Sequence, residues 1–462
     1  MKTRKLFGTD GMRGEAGHYP LDPETLYKFG KALGGLLQKM NGPGQPQAVL
    51  GEDTRESSSQ ISEAIAWGLK SAGIRVFYAG VITTPGVAFL TRHHGFTAGI
   101  MVSASHNPYY DNGIKIFSNS GLKLSDDQEL EIEQAIENDH SPHSPAPQQV
   151  LVAEPEFLRE YVIYLRGLFP GNLPLPKSPL VVDCSNGSAS QVIPLLLKDL
   201  GIEARIYNAA PNGQNINARC GSLFPDPMAR EAQVAGAHLG VAFDGDADRA
   251  IFATRDAYVA DGDHVLYILA PYYDRQQKLK GHAVVGTQMT NLGLEHALER
   301  SGISLKRAAV GDRYVLEEML RSGYNLGGEP SGHVIFADLS LAGDGIITLL
   351  QVLRILGETG ASFAEAVSGL KQYPQVIRNV PVREKRPLDS MPEVAQTIET
   401  SSQALGNAGR IIVRYSGTER LARVMVEAED PATVEYHAGC ITRAIEAAIG
   451  RVAASKNAPS NG

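Results

Sequence analysis

The chain has 462 residues, 43% hydrophobic and 20% charged, an ordinary soluble composition on a chain too long for a single core. Its net charge of −8 argues against a broad surface for nucleic acid, so anionic small molecules have to be held by local clusters of Arg and Lys. Three cysteines, Cys184, Cys220 and Cys440, make no disulfide framework and fit a reducing cytoplasm; the basic start lacks the apolar stretch of a signal peptide, and no apolar run is long enough to span a membrane.

Taken in chain order, the first predicted element is a helix over 23–40. Asp22 caps it, Pro23 suits its first position, and Leu26, Phe29, Leu33, Leu36, Leu37 and Met40 recur at helical spacing. Short strands follow at 48–50, 75–79 and 99–102, with a helical stretch after the first. Alternating strands and helices predict a parallel sheet with helices on both faces. The segment His140–Pro147 is the clearest linker. A second αβ rhythm begins near Glu154, with strands at 180–182 and 239–243. A third covers about 254–370, with a strand at 283–285. Beyond Tyr373 the pattern shifts to a small unit with strands at 410–413 and 422–427 and a closing helix at 432–449. The three αβ segments are candidates for diverged copies of one unit. The residues after Val452 read as a disordered tail.

Four loops carry chemistry. The first, Ser103-Ala-Ser-His-Asn-Pro108, follows the apolar run Gly99-Ile-Met-Val102. A free serine is a poor nucleophile, and the Gly-x-Ser-x-Gly elbow of a serine hydrolase is absent. His106, adjacent in sequence, is expected to be badly placed as a base for Ser105. A phosphorylated Ser105, storing a phosphoryl group, is the more natural reading; a turn that uses its hydroxyls for capping is the alternative. The second loop, Asp244-Gly-Asp-Ala-Asp-Arg249, directly follows a strand. Three carboxylates alternating in extended chain project to one side and repel unless a hard cation binds them, and Mg²⁺ is the natural choice. An EF-hand is excluded, since Arg249 and Arg255 stand where it needs Gly and Glu.

The third loop is Gly327-Gly-Glu-Pro-Ser-Gly-His333. Glu329, Ser331 and His333 alternate, and a carboxylate, a hydroxyl and an imidazole suit adjacent sugar hydroxyls; an ordinary turn between strands is the alternative. In the fourth, Arg414-Tyr-Ser-Gly-Thr-Glu-Arg420, Gly417 lets backbone N–H groups approach an anion. Ser416 and Thr418 add hydroxyls, and Arg414 and Arg423 add guanidinium groups that match phosphate oxygens. A salt-bridged surface turn is the alternative there. No Gly-Lys-[Ser/Thr] phosphate loop and no nucleotide site occur, which disfavours a kinase. A plain phosphatase needs no remote phosphate anchor. A phosphoryl carrier, a cation, a polyol clamp and a distant anchor together suit a mutase.

At these residues the chain resembles the α-D-phosphohexomutase superfamily. The match runs in order over nearly the whole length, from Phe7-Gly-Thr-Asp-Gly-Met-Arg-Gly14 through all four loops. The segments Val310-Gly-Asp-Arg-Tyr-Val315, Asn215-Ile-Asn217, Asn291-Leu-Gly-Leu294 and Gly343-Asp-Gly345 are similar to its bacterial amino-sugar branch. The resemblance implies an α/β fold of three related αβα domains with mixed or parallel sheets, at 1–153, 154–253 and 254–371. A smaller C-terminal α+β domain resembling the TATA-binding-protein fold is implied at 372–451, before the tail 452–462. It implies catalytic roles for Ser105, Lys115 and Arg13, with Ser105 phosphorylated and Lys115 the candidate for proton handling. One Mg²⁺ per chain is implied on Asp244, Asp246 and Asp248 with Ser105. Asp312 and Arg313 belong by resemblance to a substrate-orienting loop, and Glu329, Ser331 and His333 to a sugar clamp. Arg414, Ser416, Gly417, Thr418 and Arg423 are implied to hold the non-reacting phosphate.

The implied reaction interconverts glucosamine 6-phosphate and glucosamine 1-phosphate through a 1,6-bisphosphate. The implied setting is the cytoplasm, with a homodimer as the implied assembly, without nucleic acid or membrane. Neutral hexose phosphates are the rival substrates, and a catalytically silent binding paralogue is the rival from another class. Pro330, Tyr415, Arg420 and Gln288 depart from the family's usual residues, and none of these removes a catalytic group.

Overall fold

The helix Pro23–Met40 forms where its periodicity places it. Asp22 Oδ1 accepts from the Thr25 backbone N–H at 3.0 Å, and Leu26, Phe29, Leu33, Leu36 and Leu37 are buried. Each such apolar side chain contributes about 1.5–3 kcal/mol on leaving water. The structure, a computed structural model, describes residues 5–8, 10–40, 44–140, 150–171, 173–176, 178–416 and 419–450. Most of the expected linker and the whole expected tail therefore lie outside the described residues, as do Thr9, Gly417 and Thr418.

The chain forms two compact units. One comprises residues up to Thr290 together with Leu298–Gly369; the other comprises Asn291–Ala297 and the chain from Leu370 onward. The first unit carries three sheets. In the first sheet the strand order is Phe7–Gly8, Gly11–Glu15, Asp111–Ser118, Ala98–Val102, Gln47–Glu52, Arg75–Val81. The second runs Val259–Ala260, Ala250–Ala253, Leu239–Phe243, Leu180–Asp183, Ala204–Tyr207. The third runs Ser304–Ala308, Ala283–Thr287, Leu326–Gly328, Val334–Phe336.

The alternating pattern predicts parallel pairing, which the inner strands show, and the sheets are mixed, as the resemblance implies. Each sheet adds an antiparallel strand beside its last parallel one, and it does so in the same way three times. Ala98–Val102 turns back into Asp111–Ser118, Leu239–Phe243 into Ala250–Ala253, and Leu326–Gly328 into Val334–Phe336. The three intervening turns are the serine, aspartate and sugar loops. Each strand entering such a loop also pairs in parallel with an inner neighbour. The antiparallel returns are local hairpins, which the hydrophobic pattern of a buried strand does not distinguish from parallel pairing.

In the second unit, Leu421–Ala428 lies between Gln375–Pro381 and Gly409–Tyr415, all antiparallel. Val380, Val424, Val426, Val434, Ile441 and Ile445 form its core with the helix Pro431–Ile449. Asn291–Ala297 joins this unit through Leu292, whose N–H donates to the buried Glu427 at 3.0 Å. The three cysteines are free thiols. Among the described residues no helix is long and apolar enough to cross a membrane.

Candidate active site

Ser105 sits at φ 53°, a left-handed conformation unusual for a residue with a side chain, and is almost fully buried. The loop around it is held by its carbonyls. Arg55 donates to Ser105 O at 3.0 Å, to Asn107 O and Asp111 O at 2.9 Å each, and to Pro108 O. Asn217 donates to Ser105 O at 2.8 Å and Asn107 O at 3.1 Å. Asp53 neutralises Arg55 at 2.8 Å, both side chains being fully buried. One guanidinium therefore spreads its donors over four carbonyls of a turn that would otherwise hold unpaired backbone groups.

The aspartate loop meets this loop backbone to backbone. A side chain at Gly245 would place its Cβ 2.5 Å from Ser105 O, so only glycine allows the approach. Asp244, Asp246 and Asp248 each offer an oxygen, and these lie within 4.8 Å of one another, all buried. They converge because the chain turns, not because it alternates in extended form as expected. Ala247 has φ 58°, its N–H donates to Asp244 O at 3.1 Å, and Arg249 N–H donates to Asp244 Oδ1 at 3.1 Å. The Ser105 hydroxyl donates to Asp244 Oδ2 at 2.5 Å. Thr84 donates its hydroxyl to Asp246 Oδ2. Lys115 reaches Asp246 at 2.8 Å, Asp248 at 3.0 Å and Asp10 at 3.4 Å.

One expectation is corrected here. His106 Nδ1 lies 3.2 Å from Ser105 Oγ, because the left-handed turn at Ser105 folds the neighbouring ring back. Burial, reinforced by the Arg249 and Arg13 charges, pushes this imidazole down to about 4, so the ring is neutral near pH 7 and can accept.

The charges of this cluster are set by opposing effects. Burial and the neighbouring Asp248 and Asp246 push the Asp244 carboxyl up. Burial also acts on Asp248, but Lys115, His333 and Arg249 outweigh it and hold the group well below the usual carboxylate range. Burial works against the Lys115 ammonium, yet Asp10, Asp246 and Asp248 hold its pKa well above the ordinary lysine value. Asp246 Oδ1 and Asp248 Oδ1 are buried without a hydrogen-bond partner among the described residues. Two orphaned carboxylate oxygens beside a third carboxylate and a hydroxyl are a donor set that fits a hard divalent cation.

The sugar loop sits beside this cluster. His333 lies between Asp248 and Asp312, at 3.7 Å from each. Burial lowers the affinity of its ring for a proton, but Asp248, Asp312 and Glu329 reverse this and raise its pKa. Glu329 accepts from Gly311 N–H at 3.0 Å, and the Ser331 hydroxyl is buried with no hydrogen-bond partner among the described residues. The ring of His333 rests against Gly343, where any Cβ would overlap it. Asp312 and Arg313 open the helix Asp312–Ser322 instead of lying in a loop. Gly311 before them, at φ 128°, starts the helix, and Val315 and Met319 bury one face of it. Lys123 joins Asp312 at 2.6 Å to Asp10 at 2.5 Å. Arg313 is engaged by Asp126 at 2.6 Å and Glu317 at 3.1 Å. Lys123, Asp248, Asp312 and His333 line a cavity of about 350 Å³.

Behind the loop, Asp344 caps the helix Gly345–Thr359 through Ile346 N–H at 2.9 Å and Ile347 N–H at 3.0 Å. It also accepts from the Tyr161 hydroxyl at 2.6 Å. Burial pushes its carboxyl from 3.8 up to about 6, against those three bonds. Because the folded pKa is the higher one, the folded state keeps the proton in that window after the unfolded chain has lost it. Stability from this group is full at low pH and is lost as pH rises towards 6, by up to about 3 kcal/mol. Asp344→Asn, which retains a capping oxygen, is expected to remove this slope. Urea unfolding of both proteins across the window checks it, and parallel pH profiles contradict it.

The fourth loop belongs to the other unit. Arg414 and Arg423 stand directly opposite each other on adjacent strands, a like-charge pair that destabilises a sheet unless an anion lies between. Arg423 Nε is buried and has no hydrogen-bond partner among the described residues, while a second nitrogen of Arg423 lies 3.5 Å from Glu419. Ser416 is buried, and its carbonyl accepts from Lys385 at 2.6 Å. Gly417 and Thr418, expected to contribute here, lie outside the described residues.

The geometry thus brings Ser105, Arg13, Lys115, the three aspartates, Asp312, Glu329, Ser331 and His333 into one unit. Arg13 reaches the cluster through Asp10, and donates to Ala104 O and Asn107 Oδ1 at 3.3 Å each. Sequence reasoning missed Asp10, Arg55, Thr84, Lys123, Asn217, Arg249 and Lys385. Asp10, Asn217 and Arg249 stood inside quoted motifs without being given these roles. Arg55 left only the Asp53-Thr-Arg55 pattern after a strand, with no signal of four carbonyl partners.

Known proteins agree with this geometry. Residues 4–143 match the α/β/α domain I of the phosphoglucomutase/phosphomannomutase family, 164–257 its domain II, 261–373 its domain III and 378–441 its C-terminal domain. A phosphoglucosamine mutase of Koribacter versatilis (strain Ellin345) is 49% identical over 456 residues, 97% of this chain and 98% of the relative. Another, of Solibacter usitatus (strain Ellin6076), is 47% identical over 448 residues, 97% and 99% respectively. The crystal structure of a phosphoglucomutase/phosphomannomutase family protein from Burkholderia thailandensis shares the fold, with a TM-score of 0.77 at 24% identity over 96% of this chain and 97% of that one. A repeated hairpin architecture, a buried serine on an aspartate cluster and matches along the whole chain have one explanation: this chain belongs to the phosphoglucomutase/phosphomannomutase family, among the phosphoglucosamine mutases.

Proposed function

We propose that the protein interconverts glucosamine 6-phosphate and glucosamine 1-phosphate, with Ser105 as the phosphoryl carrier. The observation that carries this reading is the Ser105 hydroxyl, 2.5 Å from Asp244 among three converging buried carboxylates, two of which have an orphaned oxygen. Phosphorylated Ser105 gives its phosphoryl group to the free hydroxyl of the sugar phosphate. The P–Oγ bond breaks, a bond from phosphorus to the sugar oxygen forms, and a 1,6-bisphosphate results. Lys115, held as an ammonium by its three carboxylates, hands a proton to the departing Ser105 oxygen and is reprotonated from the sugar hydroxyl. Arg13 stabilises charge on the moving group. The opposite phosphate then returns to Ser105 by the reverse sequence.

Asp244, Asp246 and Asp248 would hold Mg²⁺, with an oxygen on Ser105 completing the set, and a cation bound there would supply charge neutralisation for the transferred phosphoryl group. Glu329, Ser331 and His333 grip sugar hydroxyls, and Asp312 and Arg313 border them. Arg414, Ser416 and Arg423 hold the phosphate that is not transferred, with Gly417 and Thr418 beside them in the chain. Pro330 contributes its carbonyl to the loop, accepting from Gly262 N–H at 3.1 Å, so this backbone bond does not depend on the family's usual side chain there.

The test is the comparison of kcat/KM for glucosamine 6-phosphate, mannose 1-phosphate and glucose 1-phosphate. The amino sugar is expected to lead by at least about tenfold, the scale of a few well-placed contacts. A preference for either neutral sugar overturns the substrate assignment.

A further inference from the structure

Away from the active site, two adjacent histidines and a glutamate meet on the surface. His93 ends the helix Thr84–His93, His94 is its C-cap, and Glu160 lies on the helix Pro155–Gly167. Each offers a ligand atom, and these atoms all lie within 4.8 Å of one another. We propose that His93, His94 and Glu160 form a Zn²⁺ site that ties these two helices together.

Three observations carry this beyond a chance cluster. The His94 ring is fixed by apolar walls: it stacks on Phe96 at 5.3 Å and 29°, and meets Phe157 edge-on at 5.2 Å. The His93 ring stacks on Phe89 at 5.1 Å and 16°, and Phe89 in turn stacks on Tyr164. Both imidazoles are therefore oriented before any ion arrives, a task that hydrogen-bonded partners perform in most metal sites. His94 Nε2 already lies 2.5 Å from Glu160 Oε2, so an imidazole and a carboxylate from the two helices are in contact. That pair accounts for His94 and Glu160 but leaves His93 unexplained. Its ring makes no hydrogen bond among the described residues, yet one of its nitrogens lies within 4.8 Å of the His94 and Glu160 ligand atoms.

The donor set selects the metal. Two imidazoles and one carboxylate suit Zn²⁺, whereas Mg²⁺ favours oxygen donors alone. A tetrahedral Zn²⁺ spaces its ligand atoms about 3.3 Å apart, so the His94–Glu160 contact opens by about 0.8 Å, within the reach of small side-chain rotations. His93 and His94 are exposed, which gives the ion direct entry and leaves a fourth position for water. The site lies at the opposite end of a ten-residue helix from Thr84, the residue that touches Asp246. About 15 Å of helix therefore separates it from the catalytic cluster, and it adds a cross-link without supplying a reacting group.

The test uses the full chain without an affinity tag, stripped by a chelator and titrated with Zn²⁺ while excess Mg²⁺ occupies oxygen sites. The wild type is expected to take up one Zn²⁺ more than the double variant His94→Ala/Glu160→Gln, and its thermal midpoint is expected to rise with Zn²⁺ where that of the variant does not. His93→Ala alone is expected to weaken uptake by at least about tenfold. In Mg²⁺ without Zn²⁺, the variants should retain wild-type mutase rates, with only a small fall in thermal midpoint from the lost His94 packing, which separates loss of the site from loss of the fold. Equal Zn²⁺ uptake by wild type and double variant, or no uptake by the wild type in Mg²⁺, overturns the proposal.

Discussion

Replacing Ser105 with alanine is expected to lower the mutase rate by at least about four orders of magnitude, as removal of a covalent carrier does in other enzymes. Incubation with a hexosamine bisphosphate should leave phosphate on the wild-type chain, and intact-mass measurement should find none on Ser105→Ala. The fold should survive. Alanine meets the same φ of 53° as serine does, so no new backbone strain arises. What is lost is the hydroxyl that donates to Asp244 at 2.5 Å. A buried acceptor left unpaired costs about 1–3 kcal/mol, and burial already favours the protonated, neutral form of this carboxyl, which softens the loss. A small fall in thermal midpoint with a complete loss of turnover is therefore the expected pair of results. A variant that keeps turning over near the normal rate removes Ser105 from the mechanism, whatever its stability.

Much of this centre was legible because its residues are contiguous. Ser105, the three aspartates and the Glu329–His333 run each occupy one short segment, and each follows an apolar strand. Local signals of that kind survive in a linear reading. The helix Pro23–Met40 was equally legible, since Asp22, Pro23 and the leucine spacing all act within a few residues. What escaped is what tertiary structure decides. Arg55 serves carbonyls more than 50 positions further along, and nothing local announces them. The alternating pattern alone does not show the antiparallel returns, because strands buried on both faces look alike whichever way their neighbours run; mixed sheets came from the resemblance. The convergence of Asp244, Asp246 and Asp248 was foreseen for the wrong reason: a turn at Ala247 aims them, where alternation was expected to. The helix at Asp312 was legible in principle, since Asp312 opens it and Val315 and Met319 sit at helical spacing; the motif around Val310 drew the reading towards a loop instead.

The three hairpins also explain why one unit can assemble so many groups. Each loop leaves the end of a strand whose inner neighbour is parallel, and the strand beyond returns beside it. A loop held at both ends by the same sheet loses less conformational entropy on being ordered than a free connection does. Buried side chains of the returning strands then reach the centre from below, as Lys115 does from the middle of Asp111–Ser118.

That placement makes Lys115 the second decisive residue. Its ammonium is buried and touches Asp246 at 2.8 Å, Asp248 at 3.0 Å and Asp10 at 3.4 Å. Lys115→Met keeps the length of the stem but removes the ammonium that contacts all three carboxylates. Without a divalent cation, the variant should lose about 3–5 kcal/mol of stability, the scale for leaving buried charges without their partner. Adding Mg²⁺ should recover a large part of that loss, because Asp246 and Asp248 gain a replacement counter-charge. Turnover should not recover, and should stay at least about a thousandfold below wild type at saturating Mg²⁺, because a cation on the aspartates cannot hand a proton to the Ser105 oxygen. Urea unfolding with and without Mg²⁺, run beside steady-state rates, separates the two roles. If Mg²⁺ restores the rate along with the stability, Lys115 is a counter-ion only, and the proton must travel by another group. Apart from Asp244, which the cation would occupy, the neutral His106 ring, 3.2 Å from Ser105 Oγ, is then the candidate for that task.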